Sequence, residues 1–219
     1  MTFEQYLEKT ERNLRIMSRT ANGIVDTSAS RTKADYMKIE SGEEASKTAF
    51  SNIRTALAFA YEQKNRKFLS SDEIKKFITD VALKVNEGIV KEGCLFRQGS
   101  DSDSLPYARI ADIDRIYDWF CGQLFDRIET GYADHIETAC FAEYLINPVG
   151  HFFSDGCSKV SMAISAYILM REDMPLPAYR GREEYYDVLE RSNRRIPSVN
   201  EVVDPKAYSV FLEYFRSLF

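Results

Sequence analysis

His151-Phe152-Phe153-Ser154-Asp155-Gly156-Cys157-Ser158-Lys159 is the stretch whose reading decides what this chain is. It follows the helix breaker Asn147-Pro148-Val149-Gly150 and runs into a strongly apolar helical pattern, Val160, Ala163, Ile164, Tyr167 and Ile168. A glycine-containing loop that opens a helix directs backbone N–H groups and the positive end of the helix dipole at one spot, which suits phosphate. Lys159 adds a positive charge there. Asp155 can hold Mg²⁺, a cation that prefers one or two carboxylates together with phosphate oxygens and water. His151 is one of two histidines; with an ordinary pKa of about 6.5 it is mostly neutral near neutral pH, as a general base toward a hydroxyl must be. Each residue also has an ordinary reading, as a loop histidine, a capping aspartate and a solvated helix lysine. Their joint order is what gives the segment weight.

Outward from this loop the pattern is helical. Thr2 with Gln5 forms a capping box ahead of Phe3, Tyr6, Leu7, Leu14 and Met17, which predicts a first helix over about 3–18. Residues 21–33 are rich in Ser, Thr, Ala and Asn and read as an exposed connection. Ser41 with Glu44 and Ser70 with Glu73 open two more helices, the second stopping at Gly88. Cys94-Leu95-Phe96-Arg97 and the turn-rich 98–104 form the one candidate β-hairpin. Helical spacing resumes at Ile110, Ile113, Ile116, Tyr117, Phe120, Leu124 and Ile128, again from about Ala133 to Leu145, and in a short helix at 182–189. Asp204-Pro205 starts a last helix over 205–219, read as a packing helix.

With 219 residues, 44% of them hydrophobic and 13% aromatic, the chain can bury a real core. A net charge of −5 and a pI of 5.3 exclude a molecule built as a whole to bind nucleic acid or an anionic membrane. The four cysteines, at 94, 121, 140 and 157, form no C-x-x-C pair and read as free thiols of a reducing compartment. The N-terminus has no basic segment before an apolar stretch, and no run of about 18 apolar residues occurs. The expectation is a cytoplasmic protein, or a secreted effector without a classical signal peptide.

In its order of residues the loop resembles the signature of the Fic/Doc family, H-P-F-x-D/E-G-N-G-R-x-x-R, or H-x-F-x-D-A-N-K in the Doc form. His151, Phe153, Asp155 and Gly156 match it. The surroundings are similar too. Leu95-Phe96-Arg97-Gln98-Gly99, then Leu105-Pro106-Tyr107 and the helix through Trp119, resembles the family's flap and the helix after it. Residues 134–139 resemble the helix before the signature, and 182–189 the R-x-E-Y-Y-x-x-L segment after it.

The resemblance implies a mainly α fold, a Fic-type helical bundle with a small β-hairpin flap before the core helices. The chain reads as one domain over 1–219, with N-terminal helices at about 1–84, a Fic-like core at 85–190, to which the resemblance is confined, and a C-terminal tail and helix at 191–219. It implies that His151 deprotonates a Ser, Thr or Tyr hydroxyl of a protein and that Phe153 anchors the loop. Asp155 would hold Mg²⁺ against a nucleotide such as ATP, with Gly156, Cys157, Ser158 and Lys159 at its phosphates. The group moved would be AMP or another phosphate-containing group. The protein target would dock by strand addition on Leu95, Phe96 and Arg97 of the flap. Tyr185 or Tyr186 would pack by the base or belong to the core.

Four departures alter the chemistry. Cys157 stands where the family has Asn, Ser158 where it has Gly, Lys159 in place of the first Arg and Met162 in place of the second. Lysine keeps the charge of arginine and loses its bidentate geometry. Each charged hydrogen bond lost weakens ATP in the usual pose by roughly 1.5–3 kcal/mol. Three outcomes stay open: a donor with fewer phosphates, an altered reaction, or an inactive Fic-fold protein serving as a binding or regulatory module or toxin–antitoxin component. Cys157 is also a candidate reactive thiol, against the alternative of a small residue filling the Asn site.

Overall fold

The computed structural model describes residues 1–18, 42–98, 107–131, 134–192 and 203–219. The expected connection at 21–33, the Ser41 cap and the hairpin turn at 99–104 lie outside the described residues. Among the described residues the fold is mainly α, as expected, with eight α-helices: α1 (Phe3–Met17), α2 (Gly42–Glu62), α3 (Ser71–Asn86), α4 (Ile113–Thr130), α5 (His135–Tyr144), α6 (Cys157–Arg171), α7 (Arg182–Ser192) and α8 (Pro205–Arg216).

Local chemistry sets most helix starts. Thr2 accepts from the Gln5 N–H while the Gln5 side chain returns to the Thr2 N–H, the full capping box. Ser70 accepts from the Glu73 N–H, Asp134 from that of Glu137, and Asp204 from those of Lys206 and Ala207 with Pro205 in the first turn. The last turn of α3 ends at Asn86, two residues before Gly88, whose φ of +69° reverses the chain.

α6 is the axis of the molecule. Every residue from Val160 to Met170 is buried, because α1, α2, α3 and α5 all pack on it; a helix apolar on all sides is one surrounded by others. The apolar core runs without a break from Tyr6 of α1 to Leu218 after α8. The N-terminal helices therefore pack into the same interior as the segment that carries the loop.

α5 does not simply break before the loop. It widens into a π-helical turn, Leu145–Gly150, which contains Pro148. Proline has no N–H to give to the helix ladder, and the wider turn releases carbonyls for other donors. Two are used: Val149 O accepts from the Ala108 N–H at 2.9 Å, and Asn147 O from His151 Nδ1 at 3.2 Å. Gly150 closes the turn with no room for a side chain. A Cβ there would overlap the Phe152 ring and lie 2.6 Å from Leu145 O. Gly150→Ala is expected to lose about 1–3 kcal/mol in urea unfolding. Gly181→Ala, where nothing lies within 4 Å, is expected to stay within about 0.5 kcal/mol of the parent.

Among the described residues the expected small β-hairpin flap is not seen. Among the described residues 94–98 pair with the loop itself, through one isolated antiparallel bridge, Phe96 to Phe153. The Arg97 N–H donates to Phe152 O and the Ser154 N–H to Leu95 O, each at 2.9 Å. The cause is burial. The Phe96 ring lies 5.4 Å from Phe153 and 5.3 Å from Tyr117, and the interior backbone of 152–154 needs hydrogen-bond partners that water does not supply there.

Candidate functional site

The loop is held from two sides. From below, Phe152 and Phe153 are fully buried; Phe153 meets Phe96 and Tyr117, while Phe152 stacks on Phe120 at 5.9 Å. From the flap side, Ser154 Oγ donates to Cys94 O at 2.6 Å or Phe96 O at 2.8 Å. These contacts fix the ends of the loop, His151 at one and the α6 start at the other. The Phe153 ring is buried beneath the loop.

His151 takes a left-handed backbone, φ 46° and ψ 49°, uncommon for a residue with a side chain and a form of strain that clusters at functional sites. Its Nδ1 faces the Asn147 carbonyl. A carbonyl only accepts, so Nδ1 carries the proton and Nε2 is the basic nitrogen of the neutral ring. Asn147 is itself fixed by its side-chain amide, which donates to the Tyr185 hydroxyl at 2.8 Å. Tyr185 is therefore core and serves His151 through Asn147, and the half-buried Tyr186 donates to Met17 O at 2.9 Å. Over the imidazole lies Tyr107, rings 4.0 Å apart and 11° from parallel. Arg97 sits over the same tyrosine at 5.8 Å and donates to Ala108 O, closing the base of the flap.

Gly156 caps α6 with φ +72° and no capping side chain, leaving the first turn of the helix to the loop. Its α-carbon is crowded. A Cβ there would lie 2.9 Å from Asn86 Oδ1 and 3.0 Å from both Lys159 Cε and Val85 Cγ1. Asn86 is buried, and its Oδ1 has no hydrogen-bond partner. Ser158 is half-exposed. Cys157 is 3% exposed, its Sγ donating to Phe153 O at 3.4 Å; in this position it packs, and a bulky electrophile has no path to it. Met162 is buried in the core.

Lys159 lies 1% and Asp155 9% exposed, and Nζ sits 3.4 Å from Asp155 Oδ2. The carboxylate expected to take Mg²⁺ thus already has a buried ammonium on it. A dication brought beside a buried ammonium is repelled more strongly than it would be in water. As arranged, these residues do not fit Mg²⁺.

Three contributors were not legible as site residues: Tyr107, Asn147 and Asn86. Asn147 carried a faint signal, four residues before His151 in an Asn-Pro turn. Among the described residues no helix is long and apolar enough to cross a membrane.

No protein-family model and no curated protein matches the sequence. The solved structure of a Fic domain containing signaling protein from Bacteroides thetaiotaomicron is similar in fold, with a TM-score of 0.70 over 98% of this chain and 85% of that one, at 12% identity. At that identity the likeness speaks for the fold alone, and the chain has the fold of a Fic domain.

Proposed function

We propose that this chain is a hydroxyl-directed transferase, moving AMP or another phosphate-containing group from a nucleotide-type donor such as ATP onto a Ser, Thr or Tyr of a protein. The observation that carries the reading is the Asn147 carbonyl on His151 Nδ1, which makes Nε2 the nitrogen able to take a proton. In the step, the hydroxyl proton passes to Nε2, the oxygen forms a bond to phosphorus, and the bond from phosphorus to the departing phosphate or diphosphate breaks. The start of α6 and the Lys159 charge hold the anion. The target would approach along 94–98, where Leu95 and Arg97 already use main-chain bonds on the loop, so an added strand would take the opposite edge. Tyr107 would shift to admit the hydroxyl.

Incubation of a cell lysate with labelled ATP, with the wild type beside His151→Ala, tests the reading. Labelling by the wild type and its loss in the variant are expected; equal labelling by both would refute it.

A second reading is favoured by the Asp155–Lys159 pair, which neutralises two loop charges against each other: a non-catalytic Fic-fold binding module. Micromolar binding of any nucleotide in calorimetry would speak against it.

A further inference from the structure

We propose that Lys159 stands in for the divalent cation, so that the loop takes a phosphate-bearing ligand without metal. The inference rests on the loop being the phosphate site of the proposed function. In a site with one carboxylate, a metal ion does two things: it neutralises that carboxylate and presents positive charge to phosphate oxygens. Here Nζ of Lys159 lies on Asp155 Oδ2 at 3.4 Å, and the i, i+4 spacing places both groups at the first turn of α6.

The lysine is 1% exposed, its stem packed in the interior. Its Cε and Asn86 Oδ1 converge on the same point above Gly156. Asn86 Oδ1 is buried and without a partner, and so offers the ammonium a second acceptor when a ligand draws it off Asp155. Gly156 at the N-cap of α6 has no side chain to accept from the first turn, whose N–H groups point back toward the loop.

One point charge and one helix start match a short phosphate, a monophosphate or diphosphate, better than a metal-chelated triphosphate chain. Asp155 on this account positions Lys159 and is not a metal ligand.

The test uses ADP by calorimetry in EDTA and in Mg²⁺, and Mn²⁺ by electron paramagnetic resonance. The wild type is expected to bind ADP with affinity unchanged within about twofold between the two buffers, and to retain no Mn²⁺. Lys159→Met, which keeps the buried stem volume, is expected to weaken ADP in EDTA by roughly tenfold or more and to regain part of it with Mg²⁺. Wild-type binding that falls roughly tenfold in EDTA, or Mn²⁺ held by the wild type and released in Asp155→Asn, would overturn the proposal. If ADP binds in neither buffer, the transferase reading loses its donor site. The metal-free phosphate site is overturned with it, and Mn²⁺ held by the wild type and released in Asp155→Asn would in addition overturn the role given to Lys159.

Discussion

Phe153→Ala is expected to lower the stability of the protein by about 3–5 kcal/mol in urea unfolding. The ring is fully buried, with Phe96 at 5.4 Å, Tyr117 at 6.0 Å and Phe152 at 6.4 Å around it. Its removal leaves a cavity that cannot collapse, since on one side lies the backbone bridge to Phe96 and on the other the rings of α4. Domains carry about 5–15 kcal/mol in all, so the loss takes a large share. Phe219→Ala, at a ring 45% exposed, is the control and is expected within about 0.5 kcal/mol of the parent. The effect also reaches the site. The Arg97 and Ser154 N–H groups join flap and loop, and both should exchange with solvent faster in Phe153→Ala. A loss below about 1 kcal/mol, or unchanged exchange at these two amides, would mean that the loop is held by something other than this ring.

What could be read from the sequence was what is local. Thr2 with Gln5, Ser70 with Glu73 and Asp204 with Pro205 announce helix starts because a cap is decided by residues two or three apart, and all three form. The loop from His151 to Lys159 was legible for a related reason: its parts lie within a few residues of one another. The pairing of 94–97 with the loop was not legible, because an extended pattern does not name its partner; Phe96 bridges to Phe153. Asn147-Pro148 reads as a break, and whether the chain breaks or widens into a π turn depends on donors at Ala108 and His151. The Asp155–Lys159 pair had a visible i, i+4 spacing, but only burial turns such a pair from a solvated contact into a fixed charge arrangement. Tyr107 over His151 joins residues far apart in the chain and left no mark in either segment.

Glu143→Gln is expected to raise stability above about pH 7 by up to roughly 3 kcal/mol and to change it little near pH 5. Glu143 is fully buried on α5, and burial pushes its carboxyl up from the ordinary 4.5 to about 7. The Tyr179 hydroxyl donates to Oε1 and offsets part of that rise. Ser165 faces the group more loosely, leaving Oε2 without a hydrogen bond of ordinary geometry. Below pH 4.5 both folded and unfolded chains hold the proton, and the full stability is present. Between 4.5 and about 7 the unfolded chain gives up its proton first, so it binds fewer protons than the folded one and stability falls. Above about 7 the folded carboxyl is ionised too, and the loss is complete. Glutamine cannot ionise, so the variant should lack this decline, and the two stability profiles should separate with rising pH. Parallel profiles from about pH 5 to pH 8 would show that the carboxyl is ionised in the fold throughout. The consequence for the site follows from spacing. Glu143 lies four residues before Asn147, and Asn147 four before His151. Tyr179, on Glu143, packs edge-on against Tyr185 at 5.4 Å, and Tyr185 holds the Asn147 amide. A charge formed at Glu143 therefore loads the same buried polar ladder that fixes the Asn147 carbonyl on His151 Nδ1. Any pH dependence of the Asn147–His151 geometry is expected to track this carboxyl.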